Sequence, residues 1–190
     1  MFIRDWNKEI KTIPNLLSLL RLMLIPVYMS IYLNAANPAQ HFYAGAILAI
    51  SCLTDALDGW IARRFHMVTN LGKVLDPVAD KITQLSLILC LSLKFHALIP
   101  VLVLFLMKEL FQICAAVYHL NQGKILPNAL FAGKLCTTVL FVTLILLVLF
   151  PAVNSRIVTW IAGIDCLFLL ISFGSYLFTY LSNPNRLRHL

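Results

Sequence analysis

Residues 54–81 read TDALDGWIARRFHMVTNLGKVLDPVADK. Four carboxylates stand in this stretch, Asp55, Asp58, Asp76 and Asp80, half of the eight acidic residues in the chain. Largely apolar sequence continues on both sides, which marks two helices joined by a short link around residues 66–71. Asp55 and Asp58 are three apart and Asp76 and Asp80 four apart, so each pair shares one helix face. So short a link forces an antiparallel hairpin. Reflecting it about residue 67 brings Asp58 level with Asp76 and Asp55 level with Asp80. All four are then expected to converge about 10–15 Å below the helix ends, at roughly 1.5 Å per residue. A carboxylate inside a membrane span costs several kcal/mol on insertion scales. One such residue is readily explained as the partner of a Lys or Arg; four at one depth with few cations nearby are not.

The rest of the chain sets that hairpin in a bilayer. Of its 190 residues, 61% are apolar and 12% charged, and the mean hydropathy is +0.87. Soluble domains are about half apolar and about a quarter charged, so this chain lacks the polar surface for water. Six apolar segments can be drawn at residues 16–33, 42–65, 72–93, 97–120, 134–150 and 157–181. Each is near the ~20 residues that cross a hydrocarbon core. The expected fold is all-α, a polytopic membrane protein of six transmembrane helices forming a single domain over residues 1–190, with a catalytic hairpin over about 42–93. Arg21 and Pro26 interrupt the first segment and argue against a cleaved signal peptide. Arg4, Lys8, Lys11, Arg63, Arg64, Lys73, Lys124, Lys134, Arg186 and Arg188 fall on one side of the six-span scheme, and only Lys94 and Arg156 on the other. That bias puts both termini in the cytoplasm. The net charge of +7 is dispersed at span ends, which suits anionic lipid and phosphate-bearing substrates rather than nucleic acid. The five cysteines are isolated in apolar stretches and read as small buried residues.

Four close carboxylates repel one another unless a cation joins them. Oxygen ligands without His or Cys favour Mg2+ or Mn2+ over zinc, and a site for more than one such ion suits displacement at phosphorus. Gly59 and Ala62 let a ligand approach the helix backbone, Arg63 offers a fork for phosphate, and Gly72 opens a helix whose start favours an anion. Lys81, Lys108 and Lys134 are candidates for a pocket around an acceptor phosphate; otherwise they pair with acidic neighbours or reach to the interface. Asp165 is either a polar packing group or part of a cavity wall.

The pattern Asp55-x2-Asp58-Gly59-x2-Ala62-Arg63-x8-Gly72-x3-Asp76-x3-Asp80 resembles, without a departure, the signature of the CDP-alcohol phosphotransferase family. The resemblance implies that the four aspartates hold two metal ions and that Asp80 is also the general base. It further implies that Asp55, Gly59, Ala62, Arg63 and Thr69 contact the head group of CDP-diacylglycerol. Residues 13–26, IPNLLSLLRLMLIP, and 74–81, VLDPVADK, are similar to the bacterial phosphatidylglycerolphosphate synthase branch, though one-domain cardiolipin synthases share both features. Asn15 and Ser18 fall where the family places nucleotide contacts. Lys108-Glu109 stands where that branch usually carries an Arg-Glu pair. The implied reaction moves a phosphatidyl group from CDP-diacylglycerol to glycerol 3-phosphate. Phosphatidylglycerol or another small alcohol is the rival acceptor. A homodimer in the inner membrane of a bacterium, its site facing the cytoplasm, goes with the resemblance. A cation transporter is the reading from a different class, and the confinement of the acids to one hairpin speaks against it. A non-catalytic scaffold leaves the four acids without a reason.

Overall fold

The computed structural model describes residues 12–64, 72–121, 124–125, 131–182 and 188–189; the side chains of some helical positions, residues 55–63 among them, lie outside that description. In chain order come α1 (Ile13–Leu33), α2 (Pro38–Arg64), α3 (Gly72–Lys94), a 3-10 turn (His96–Leu98), α4 (Ile99–Asn121), α5 (Phe131–Leu149) and α6 (Ser155–Ser182). Apart from a two-residue antiparallel pairing of Lys124–Ile125 with Arg188–His189, the described fold is helical.

Each apolar segment has become one helix, and the differences lie at the caps. The sequence reading starts the second segment at residue 42, because NPAQ reads as a polar link. The helix starts at Pro38 instead. Proline suits a first turn, where an N–H has no partner anyway. Gln40 then folds back so that its side-chain oxygen accepts from the backbone N–H groups of Ala36 and Asn37, at 2.6 and 3.3 Å. Asn154 caps α6 in a related way, its Oδ1 accepting from the Arg156 N–H at 3.0 Å.

Among the described residues, four helices, α1, α4, α5 and α6, are long and apolar enough to cross a membrane, and the chain is an integral membrane protein. At 27 and 23 residues α2 and α3 have comparable length. They carry the acidic motif.

The described contacts fall into two units, residues 1–90 with 148–151, and residues 91–147 with 152–190. In the first, α1 buries a stripe that runs through Asn15, Ser18, Arg21, Ile25, Tyr28 and Tyr32. This three-to-four spacing is one helix face. Leu16, Leu20, Met23 and Val27 lie on the opposite side and are exposed, as apolar side chains facing lipid should be. The stripe is polar over its first two turns and apolar below. In its apolar half, α1, α2 and α3 meet around a narrow cavity lined by Ile25, Tyr28, Leu48, Ser51, Thr83 and Leu87. In the second unit α4 packs against α6, and the Phe111 ring sits edge-on to Phe173 with centroids 5.3 Å apart.

Candidate active site

The site is built on α1 and α3 of the first unit. Asp76 and Asp80 lie one turn apart near the start of α3. Ser18 Oγ donates to Asp76 Oδ1 at 2.7 Å, and Arg21 Nη1 donates to Asp80 Oδ1 at 2.6 Å. Residue numbers rise together along both helices, so α1 and α3 run in the same direction here. A chain that goes up, down and up again requires that.

The burial is unequal. The Arg21 side chain is 2% exposed, whereas that of Asp80 is 51% exposed. A buried guanidinium is tolerated only with a partner, and the charge-assisted bond to Asp80 supplies one. The carboxylate, not the guanidinium, faces open space. Asn15 and Ser18 are also buried, at 1 and 0% exposed. Two of the candidate nucleotide contacts therefore lie on the α1 face that meets the α3 acids.

Asp55, Asp58, Gly59, Ala62 and Arg63 lie on α2, with side chains outside the described residues, and Thr69 is outside them altogether. Counted at about 1.5 Å per residue, Asp58 lies about 9 Å inside the end of α2 and Asp76 about 6 Å inside the start of α3. Asp55 and Asp80 lie at about 14 and 12 Å by the same measure. Lys81 is half-buried on α3. In the second unit Lys108 is buried and its Nζ donates to Glu109 Oε1 at 2.7 Å, while Lys134 is exposed near the start of α5. Asp165, on α6, is buried with Thr143 Oγ1 3.1 and 2.9 Å from its two oxygens.

Arg21 is the residue that sequence reasoning missed. The sequence marks it as an interruption of an apolar run at membrane depth, with no role at the site. The available signal was its place three residues beyond Ser18, which is itself three beyond Asn15, on a helix otherwise apolar through residue 27.

Asp76 and Asp80 offer hard oxygen donors on one helical turn, each with one oxygen already oriented by α1. Such donors fit Mg2+ or Mn2+ and not a thiophilic metal. Among the described residues no three His, Cys, Asp or Glu side chains come together. The other half of the expected set, Asp55 and Asp58, lies outside the described side chains.

A family model described as CDP-alcohol phosphatidyltransferase matches residues 11–171. A cardiolipin synthase (CMP-forming) of Streptomyces coelicolor is 30% identical over 170 residues, covering 87% of this chain and 75% of that protein. A probable phosphatidylglycerophosphate synthase of Mycobacterium tuberculosis is 36% identical over 143 residues, 74% of this chain and 68% of its own. A CDP-diacylglycerol–glycerol-3-phosphate 3-phosphatidyltransferase of Rickettsia felis is 38% identical over 73 residues, 38% of this chain and 39% of its own.

Proposed function

This chain belongs to the CDP-alcohol phosphatidyltransferase family and is a phosphatidyltransferase of phospholipid synthesis, and from that premise we propose that it transfers a phosphatidyl group from CDP-diacylglycerol to glycerol 3-phosphate. The observation that carries the reading is the Asp76–Asp80 turn, presented by α3 and oriented by α1, inside a motif that matches the family signature.

Asp55, Asp58, Asp76 and Asp80 are the residues to hold the divalent ions. Two such ions, Mg2+ or Mn2+, would supply positive charge that favours displacement at the pyrophosphate. Asn15, Gly59, Ala62, Arg63 and Thr69 hold the cytidine and pyrophosphate end of the donor. Asp80 accepts the proton of the glycerol 3-phosphate 1-hydroxyl as that oxygen attacks the phosphorus bonded to diacylglycerol. CMP leaves with the bonding electrons, and phosphatidylglycerol phosphate remains in the membrane. A carboxylate has about four acceptor positions, so the bond from Arg21 does not exhaust Asp80. Lys81, Lys108 and Lys134 are the candidates to meet the acceptor's phosphate.

In this reading all six helices span the inner membrane of a bacterium with both termini and the site on the cytoplasmic side, and the working form is a homodimer. The donor's acyl chains stay in lipid while its nucleotide enters from water. The Lys/Arg bias and the lengths of α2 and α3 support that topology.

The likeness to a cardiolipin synthase keeps phosphatidylglycerol as the second acceptor to try. Purified protein given labelled CDP-diacylglycerol and a panel of acceptors decides between them. We expect CMP release with glycerol 3-phosphate, loss of it on complete chelation, and no transfer by Asp80→Asn. Release driven by phosphatidylglycerol would move the assignment to the second reading. Release that survives chelation would remove the metal, and cation flux without any CMP would point to a transporter.

A further inference from the structure

The inward stripe of α1 begins with three buried polar residues at intervals of three, Asn15, Ser18 and Arg21. Two of them reach across 58 and 59 residues of sequence to the two acids of α3. Resting on the metal-dependent reading above, we propose that Ser18 and Arg21 are positioning residues, which hold the Asp76 and Asp80 carboxylates in the orientation that grips the metal ions.

A carboxylate on a helix has two side-chain torsions to settle before it can serve as a ligand. Partners that settle them in advance raise metal affinity, and their removal typically costs about 10–100-fold. Ser18 donates to one oxygen of Asp76 and Arg21 to one oxygen of Asp80. α1 thus holds one oxygen of each acid, and a carboxylate offers about four acceptor positions in all. The bonds to the α3 acids mark this role, not burial, since the equally buried Asn15 is given to the donor. Ser18 is 0% and Arg21 2% exposed, and it is the half-exposed Asp80 carboxylate that an incoming ligand meets. Ser18 therefore acts through Asp76, and Arg21 through Asp80. The planar guanidinium also explains why a membrane helix carries a charge at this place. The Asp80 carboxylate offsets part of its desolvation, so the pair forms as α1 docks on α3.

The test uses full-length protein in detergent with Mn2+ as the probe, first without donor lipid. In Ser18→Ala and Arg21→Gln we expect the Mn2+ dissociation constant to rise about tenfold or more, with part of the loss recovered in Ser18→Thr and Arg21→Lys. At saturating Mn2+, kcat for CMP release falls while KM for CDP-diacylglycerol stays as in the wild type. Unchanged or tighter Mn2+ binding in the folded variants overturns the proposal, and so does a defect confined to the donor's KM. Ser18→Ala removes a single hydroxyl and decides the matter if Arg21→Gln does not fold. Wild-type protein that binds no Mn2+ takes the functional reading down together with this one. Normal wild-type binding matched by the variants sinks only the positioning roles.

Discussion

Arg21 and Asp165 are both ionisable residues inside apolar helices, and their partners explain them differently. Arg21 meets an acid that remains accessible, whereas Asp165 is buried at 1% exposure beside the Thr143 hydroxyl. A buried polar group that loses its partner costs about 1–3 kcal/mol. Thr143→Val, which keeps the shape and removes the hydroxyl, should lower stability by about that amount. Thermal unfolding of the purified protein measures it, and a variant as stable as the wild type would show that Asp165 has support elsewhere. Neither partner was legible in the sequence. Thr143 is 22 residues from Asp165, and Asp80 is 59 from Arg21, so no local spacing relates them. The spacing within each acidic pair was legible, because a helix puts residues three and four apart on one face whatever surrounds it.

At the level of elements, hydrophobic runs located the six helices and caps adjusted their ends. How closely helices approach was not written in the runs. Gly133, near the start of α5, shows the point. A Cβ built there would stand 2.5 Å from Tyr176 Oη and 3.1 Å from its ring carbons. Tyr176 is buried and stacked against Tyr180 at 6.2 Å, so it has little freedom to retreat. Gly133→Val should destabilise the protein by about 1–3 kcal/mol, the usual cost of overpacking. Gly133→Ala should cost less, and pairing it with Tyr176→Phe, which deletes the nearest atom, should recover most of that loss. Additive effects in this double-mutant cycle would mean the two residues do not meet. Nothing in the sequence distinguishes Gly133 from Gly163 or Gly174, around which a Cβ would find nothing within 4 Å. The difference is made by a residue on another helix.

For the molecule as a whole, composition and charge placement carry the membrane argument. Apolar side chains cover the outside of α1 while Asn15, Ser18 and Arg21 turn inward, the reverse of a soluble helix, because lipid takes the place of water as solvent. Reporter tags at the two termini should both read as cytoplasmic, and a tag in the link at residues 150–154 should read as external. A cytoplasmic reading for that link would break the six-span scheme. The shared direction of α1 and α3, read from the Ser18–Asp76 and Arg21–Asp80 bonds, is the tertiary fact that accords with it. By itself the sequence determined the helical class, the positions of the helices, the membrane setting and the acidic motif. All of these follow from periodicities and compositions that act within about twenty residues. Only the tertiary structure decided which helix attends the acids and which side chains hold them. Hydrogen bonds between residues nearly sixty apart depend on how helices dock, and docking is a property of packed surfaces that no single stretch of chain encodes.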